Sequence, residues 1–257
     1  MARQAELGFA HPSPLHGRHG REVLVCGKVF STHPSGALYW PDQKTLIVSD
    51  LHLEKGSAAA GNGQLLPPYD TRSTLRTLAS VMDLYDPDRV ISLGDSFHDE
   101  EAADRLPHVD RERLRILGQG REWYWITGNH DPVLPGWLDG AVCPVLNIDG
   151  IRFRHEPVGG EQSHEIAGHL HPSARLSRRG ASVRRKCYVS NGARLVLPAF
   201  GAFTGGRLSR LYAWPQGGLP GSETPASRRL TKLLVAAGHG RCGQSCNNRD
   251  DDRDDAV

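Results

Sequence analysis

Four short fragments of the chain and one isolated histidine carry residue types that bind metal ions. They are Asp50-Leu51-His52, Gly94-Asp95, Gly128-Asn129-His130-Asp131, Gly168-His169-Leu170-His171 and His155. Their carboxylate, amide and imidazole groups, with no thiolate among them, suit borderline or hard divalent ions such as Mn, Fe, Zn or Mg. Seven candidate ligands are too many for one tetrahedral ion and suit two ions that share a bridging ligand. The seven are Asp50, His52, Asp95, Asn129, His155, His169 and His171.

The same fragments stand at the ends of short apolar runs that predict buried strands. The runs are residues 45–48, 90–93, 123–126, 151–154 and the shorter pair 166–167. In α/β sheets, ligands gather in the crevice beyond the carboxyl ends of the strands, so these ends can bring the candidate ligands together. Residues two apart project to the same side of an extended backbone. We therefore expect Asp50 with His52, and His169 with His171, each to face one ion.

In this order, the fragments resemble the calcineurin-like metallophosphoesterases. The pattern of that family is Asp-x-His, Gly-Asp, Gly-Asn-His followed by an acid, a lone His and Gly-His-x-His, and every part is present between positions 50 and 171. The resemblance implies two metal ions bridged by one aspartate. One ion would be held by Asp50, His52, Asp95 and His171, and the other by Asp95, Asn129, His155 and His169. The chain departs from the pattern at His98, where the family often has an acid or amide.

Two catalytic roles follow from this ligand assignment. If Asn129 is a ligand, His130 is not needed as one, and the resemblance places its ring on the leaving-group side, where it stabilises charge or protonates the leaving oxygen. We expect Asp131 either to hold the His130 ring by a hydrogen bond or to cap the following turn. Two bound cations would lower the pKa of a water from ~15.7 toward about 7 and so supply a nucleophile for attack on phosphorus.

The order of the predicted elements favours an α/β fold. Helices are predicted over about residues 72–85, 99–105 and 110–118, between strands that end at the metal-binding fragments. Residues 55–68 are predicted to form a loop of small residues, and the chain from 142 to 214 is predicted to consist mainly of short strands. We expect two mixed β-sheets packed face to face and flanked by helices. The resemblance implies the same four-layer αββα sandwich, the metallo-dependent phosphatase fold.

One catalytic domain is expected over residues 21–215. Residues 1–20 are predicted to be a flexible arm, and residues 216–257 a disordered tail with one brief helical turn at 230–237. With 257 residues, of which 38% are hydrophobic and 23% charged, the chain has the composition of a globular protein with a sizeable core. Its net charge of +2 provides no overall attraction to nucleic acid, so any such preference must come from local clustering.

Cysteine content and hydropathy favour a cytoplasmic protein. The five cysteines are odd in number and scattered, which argues against a disulfide framework and fits a reducing compartment. No apolar run approaches the ~20 residues of a membrane span. The first 20 residues lack the apolar segment of a secretory signal. We therefore expect no membrane association, and the oligomeric state stays open.

A basic run lies directly after the last pair of candidate ligands. Six basic side chains fall between positions 175 and 186. If residues 178–180 form a hairpin turn beside the metals, the run can bind a phosphate backbone. The alternative is a solvated hairpin that contributes only to solubility. The candidate substrate contacts are Arg178, Arg179, Arg184 and Arg185.

Within the family, the chain resembles the ligase-associated DNA damage response endonucleases, the bacterial PdeM group. The segments that carry this resemblance are residues 38–40, 46–56, 168–172 and 197–201, and it extends over about residues 21–215. It implies a metal-dependent DNA endonuclease or phosphodiesterase, with Mn as the first choice of metal and Fe, Zn or Mg as alternatives. It also implies a role in DNA repair beside a DNA ligase and a helicase.

Two other functions stay open. The same chemistry could hydrolyse a small-molecule phosphodiester, or a nucleotide or lipid-sugar pyrophosphate, although the chain has no long apolar insertion that would capture a lipid. The protein could also be a scaffold that keeps a metal-bound core only to bind partners. The presence of His130 and of a complete ligand set weighs against that third possibility.

Overall fold

The structure is a computed structural model that describes residues 20–61, 63–64, 69–159, 164–178, 181–205, 207–208 and 232–235. The predicted arm at residues 1–20 lies outside these ranges except for its last residue, and so does most of the predicted tail. The domain boundaries therefore stay predictions.

The first sheet combines antiparallel and parallel strands. Its strands are β1 Glu22–Val25, β2 Lys28–Thr32, β3 Leu38–Trp40, β4 Thr45–Val48, β5 Arg89–Leu93, β6 Glu122–Ile126 and β7 Ala141–Cys143. They lie side by side in the order of the chain. Pairing is antiparallel from β1 to β4 and parallel from β4 to β7. The carboxyl ends of β4, β5 and β6 are therefore neighbours at one edge.

The second sheet is also mixed. Its strands are β8 Val145–Ile148, β9 Ile151–Arg154, β10 Glu165–Ala167, β11 Pro172–Arg178, β12 Ala181–Ser190, β13 Arg194–Val196, β14 Arg207–Leu208 and β15 Lys232–Val235. The spatial order is β14-β11-β12-β13-β10-β9-β8, and β15 pairs with β12. β10 is parallel to both of its neighbours, β9 and β13. β11 and β12 form an antiparallel hairpin with Arg178 opposite Ala181.

Helices cover the outer face of the first sheet. They are α1 Lys55–Gly61, α2 Asp70–Tyr85, α3 Ala102–Arg105 and α4 His108–Gly118, and a short 3₁₀ helix spans Pro41–Gln43. α2 buries Leu75, Leu78 and Met82 on one face, as expected from their spacing of three to four residues. None of the helices in the described ranges has both the length and the apolar character that a membrane crossing requires.

The central strands of the first sheet are apolar on both faces because each face is covered. Leu46 and Val48 of β4 pack with the helices, whereas Ile47 between them packs in the core shared by the two sheets. Phe153 and Tyr188 of the second sheet belong to that same shared core. The candidate ligands therefore follow strands that are held on both sides.

The predicted fold class is confirmed: the protein is α/β, with two mixed sheets and helices. The helices that contribute to a buried core all pack on the first sheet. Within the described ranges, the expected outer layer of helices on the second sheet is not seen.

Two elements differ from their sequence-based predictions. Residues 55–61 form α1 rather than a loop, because three consecutive alanines favour a helix. Residues 232–235 form β15 rather than a helical turn, because their backbone pairs with β12.

Tyr188 of β12 ties the second sheet to the turn between β2 and β3. Its hydroxyl lies 2.6 Å from the carbonyl oxygen of Ala37 and 2.9 Å from that of His33. The side chain is fully buried, and burial raises the pKa of the phenol. The hydroxyl is therefore a neutral donor that links the two sheets.

We expect Tyr188→Phe to lower the free energy of unfolding by about 1–3 kcal/mol, because buried backbone groups of His33 and Ala37 lose their hydroxyl partner while the ring is kept. Chemical denaturation would measure the change. Tyr39→Phe, at a half-buried tyrosine of β3, is the control. Equal stability of the two variants would contradict a linking role for the Tyr188 hydroxyl.

Candidate metal centre

Both sheets deliver candidate ligands to one place. Asp50, Asp95 and Asn129 follow β4, β5 and β6, which are adjacent and parallel in the first sheet. His155 and His169 follow β9 and β10, which are adjacent and parallel in the second sheet. Ligand sites form beyond the carboxyl ends of such strands, and two sheets here share one site.

The ligand atoms fall into two groups, and within each group they lie within 4.8 Å of one another. The first cluster is Asp50, His52 and His171; the second cluster is Asp95, His155 and His169. His169 and His171 therefore separate, one to each cluster, and the expectation that they face one ion is wrong. Their φ angles of 67° and 44° remove them from the extended-backbone rule, and their neighbours place the rings: His169 Nδ1 lies 3.1 Å from His155 Nε2, and His171 Nε2 lies 3.0 Å from Asp50 Oδ1.

Left-handed backbone recurs at the other candidate ligands. The φ angles are 54° at Asp50, 43° at His52 and 47° at Asp95. With His169 and His171, these make five of the twelve non-glycine residues with positive φ in the described part of the chain. Such conformations cost of order 1–3 kcal/mol each and persist where the surroundings impose them, often at functional sites. The concentration of strain marks this edge as the site.

Asp95 lies between the two clusters. One of its oxygens, Oδ1, is 3.3 Å from His155 Nε2, and the other, Oδ2, is 3.8 Å from His52 Nε2. Asn129 approaches the second cluster, with its Oδ1 at 3.0 Å from His155 Nε2. This placement suits a carboxylate that bridges two ions and an amide that binds one of them.

The side chains present fit a pair of divalent cations. His155 Nδ1 donates to the carbonyl oxygen of Leu93 at 2.8 Å, and His171 Nδ1 donates to that of Gly205 at 3.2 Å. A carbonyl acceptor on one ring nitrogen leaves the other nitrogen free to bind metal, as is usual for metal-bound histidine. Within the described residues, the buried Asp50 Oδ1 accepts no hydrogen bond, although His171 Nε2 is 3.0 Å away.

Ring nitrogens of different histidines also face each other across both clusters. His52 Nε2 lies 3.3 Å from His171 Nε2, and His169 Nδ1 lies 3.1 Å from His155 Nε2. In such a contact, two neutral imidazoles can form only one hydrogen bond between them. A cation that accepts the lone pair of each ring satisfies both nitrogens better than that hydrogen bond does.

Burial and charge set the protonation of the site. Burial lowers the pKa of His52 to about 3 against the opposing effect of Asp50 and Asp95. Burial also acts on His155, but its hydrogen bond to Asp95 and the two carboxylate charges outweigh burial and raise its pKa to about 9. Burial would raise the pKa of Asp95, yet its bonds to His155 and to backbone bring it down to about 2. Asp95 and His155 thus each favour the charged form of the other.

Two glycines are required because the ligand loops approach each other closely. A Cβ at Gly128 would lie 2.1 Å from Asp95 Oδ1, and a Cβ at Gly168 would lie 1.8 Å from the Ser49 hydroxyl oxygen. No side chain fits either position without moving a candidate ligand or its neighbour.

Asp131 connects the loop after β5 to the loop after β6. Its buried carboxylate accepts hydrogen bonds from four backbone amides, at distances of 2.7 to 3.1 Å. The donors are Asp95, Ser96, Phe97 and Gly128. The expectation that Asp131 holds the His130 ring is therefore wrong: the carboxylate is occupied by backbone. Capping of a turn was the nearer alternative, but three of the four amides belong to a different loop.

His130 is instead positioned by His98, which the sequence pattern did not assign to the site. His130 Nδ1 lies 2.8 Å from the carbonyl oxygen of His98, and the two rings stack at 5.6 Å with an angle of 17° between them. His52 joins them in a third group of ring nitrogens. The one signal in the sequence was that position 98 departs from the family pattern.

The predicted basic contacts are described in part. Arg184 and Arg185 are exposed on β12 and line a pocket that His171 also lines. Arg178 is the last residue of β11, and Arg179 lies outside the described residues. The predicted hairpin is thus present beside the first cluster, while DNA contact by these arginines stays a prediction.

Comparisons with known proteins identify relatives. The profile of a family described as calcineurin-like phosphoesterase matches residues 43–191, more than half of the chain. Among solved structures, the chain is similar to the nuclease MPE of Pseudomonas putida, with 29% identity and a TM-score of 0.62 over 85% of this chain and 97% of that chain. It is also similar to Yfce, a phosphoesterase from E. coli, with 14% identity and a TM-score of 0.36 over 63% and 83%. No curated protein matches the chain by sequence.

We expect the purified protein to carry close to two transition-metal ions per chain, because two clusters share Asp95. Asp95→Asn should lose more than one of them, since the shared ligand has less charge. Elemental analysis after removal of loosely bound metal would measure both values. A single ion in the wild type, or full occupancy in Asp95→Asn, would rule out the bridged arrangement.

Proposed function

The chain belongs to the calcineurin-like phosphoesterase family, and we propose that it is a metal-dependent endonuclease or phosphodiesterase that cleaves DNA. The observation that carries the proposal is the pair of Asp and His clusters that share Asp95 at the edge of both sheets. The likeness to a nuclease over nearly the whole length of that protein supports a nucleic acid as the substrate. The exposed Arg184 and Arg185 beside His171 support it independently.

The sequence resemblance to ligase-associated DNA damage response endonucleases of the PdeM group supports a role in DNA repair. A DNA ligase and a helicase are the partner proteins that this resemblance implies. The site itself supports only the chemistry, because no partner surface can be recognised from its residues.

The division of ligands that we propose is the one that the family pattern implies. Asp50, His52 and His171 would hold one ion, His155, His169 and Asn129 the other, and Asp95 both. Mixed nitrogen and oxygen donors suit Mn, with Fe, Zn or Mg as alternatives. When bound, two such ions supply a nucleophile at neutral pH and neutralise charge on the phosphoryl group. Two carboxylates against two divalent ions leave about two positive charges, which favours an anionic substrate.

His130 is the residue that acts on the leaving group. Its Nδ1 faces a carbonyl oxygen, which accepts only from an N–H, so Nδ1 carries a proton in both charge states of the ring. The other nitrogen, Nε2, is then the atom that can give a proton to the leaving oxygen. The His130 side chain is 42% exposed, and Nε2 is 4.0 Å from Asp95 Oδ2, so the ring borders the metal centre and is open to substrate.

Asp131 is a positioning residue rather than a proton carrier. It holds the backbone of Asp95 and of Gly128, and these two loops carry the shared ligand and the Asn129-His130 pair. Burial raises the pKa of this carboxyl to about 6 against the opposing effect of the amide donors, so it is mostly ionised at neutral pH. Asp131 thus holds His130 in a fixed position relative to the metal centre and does not contact the substrate itself.

We expect the protein with Mn²⁺ to nick supercoiled plasmid DNA and Asp95→Asn to lack this activity, because the shared ligand is needed for both ions. Agarose gel electrophoresis of the plasmid forms would measure nicking. If Mn, Mg, Zn and Fe all fail to support nicking while a small phosphodiester is hydrolysed, the alternative of a small-molecule phosphodiesterase or pyrophosphatase replaces the proposal.

We expect His130→Ala to retain both metals and to lose on the order of 10²–10⁴-fold in kcat on DNA, the usual contribution of a general acid. The loss should be smaller on bis-p-nitrophenyl phosphate, because p-nitrophenolate leaves without protonation. His164→Asn is the control, since His164 is exposed directly before β10, away from the carboxyl end that carries the ligands. Equal losses on both substrates would assign His130 to charge stabilisation or orientation instead.

A further inference from the structure

A pocket of about 160 Å³ opens directly beside the metal centre. His171 of the first cluster forms one wall, the β11–β12 hairpin a second wall, and residues 198–205 a third. The polar side chains that line it are Ser173, Arg184, Arg185, Lys186 and Thr204. No carboxylate lines the pocket among the residues that the structure describes. Its ligand is therefore expected to be an anion.

The hairpin register places three of these groups on one face. Ser173 of β11 is directly opposite Lys186 of β12, and Arg184 is two residues from Lys186. Residues opposite each other or two apart on paired strands project to the same side of the sheet. A hydroxyl, an ammonium and a guanidinium thus share the face that lines the pocket.

Lys186 contributes a positive charge that backbone carbonyls hold in place. Its Nζ donates to the carbonyl oxygens of Phe200 at 2.7 Å and Ser35 at 3.2 Å. No carboxylate pairs with it among the described residues. Burial lowers the pKa of this ammonium to about 8, so it is mostly protonated at neutral pH. A charge held by neutral groups in a partly buried wall attracts anions more strongly than a solvated surface lysine.

The pocket and the metal centre form one rigid unit. The amides of Phe200 and Gly201 donate to the carbonyl oxygens of Ser49 and Asp50, at 2.7 Å and 3.1 Å. At the other end of the same loop, Gly205 accepts from the His171 ring at 3.2 Å. The loop that closes the pocket is thus fastened to the first cluster at both ends. A group bound in the pocket has a fixed position relative to the bond that is cleaved.

We propose that this pocket binds the phosphate group next to the scissile one in the same DNA strand, an inference that rests on the proposed function. A lining of basic and hydroxyl side chains, with no carboxylate among the described residues, suits one phosphate group. Arg184 and Lys186 provide the charge, and the Ser173 hydroxyl faces the same space. Because the pocket shares His171 with the metal centre, its occupant is the neighbouring phosphate rather than a distant one.

This subsite would make the enzyme select polynucleotides over isolated diesters. A substrate with a phosphate beside the scissile bond gains contacts that a bare diester lacks. Hydrogen bonds to charged groups contribute about 1.5–3 kcal/mol, which corresponds to roughly 10- to 100-fold in kcat/KM. The selection would act on the length of the strand and not on its sequence, because the pocket recognises phosphate.

The test compares three dinucleotides with the full-length, metal-loaded protein: TpT, pTpT and TpTp. We expect one of the two phosphorylated forms to be cleaved at its internal diester about 10- to 100-fold more efficiently than TpT. The form that is cleaved faster, pTpT or TpTp, shows whether the pocket lies on the 5′ or the 3′ side of the scissile bond. In Arg184→Gln, most of this preference for the phosphorylated dinucleotide over TpT should be lost. In Arg184→Lys, part of it should remain, because lysine retains the charge but not the bidentate geometry of the guanidinium. Elemental analysis checks that both variants hold the wild-type metal content.

Arg76→Gln is the matched control. Arg76 is exposed on α2 and does not line the pocket. It should therefore keep the wild-type ratio. The proposal is overturned if neither terminal phosphate accelerates cleavage, if Arg184→Gln keeps the full ratio, or if Arg76→Gln loses as much. Failure of the wild type to cleave TpT and plasmid alike would instead remove the proposed function itself.

Discussion

The carboxylate of Asp131 is the contact on which the metal centre depends. It accepts hydrogen bonds from four backbone amides that belong to the loops after β5 and β6. Those loops carry Asp95, the shared candidate ligand, and Asn129 with His130. A buried carboxylate with four donors is well satisfied, whereas the same amides without it would be buried donors that lack a partner. One side chain thereby converts two turns that would otherwise be independent into a single frame for the ligands.

That frame works because two sheets meet at their carboxyl edges. β4, β5 and β6 are covered by helices on one face and by the second sheet on the other, so their ends have little freedom to move. The turn after each strand then places the ligand in left-handed backbone at Asp50, Asp95 and His169. Such conformations are unfavourable by themselves. They persist here because the surrounding structure imposes them. The packing of both sheets, the Asp131 contacts and the close approach at Gly128 together fix the backbone of these turns.

His171 joins the chemistry to substrate recognition. One ring nitrogen faces the first cluster and the other donates to Gly205, in the loop that closes the basic pocket. A change in that loop would therefore alter both the orientation of a ligand and the position of the substrate. His98 also contacts its neighbour in two ways: its carbonyl oxygen orients the His130 ring, and its own ring stacks on that ring.

The sequence by itself determined the ligand types, their place at strand ends, the α/β class and the family, because these depend on residue chemistry and on local periodicity. The spacing rule alone paired His169 with His171, whereas the resemblance to the family separated them. Only the tertiary structure shows the contacts that separate them: His169 lies against His155, and His171 lies against Asp50. The partners of Asp131, the place of His98 and the pocket at Lys186 likewise depend on loops that are distant in sequence. The strand β15 could not be predicted from local propensity either, because it is stabilised by pairing with β12.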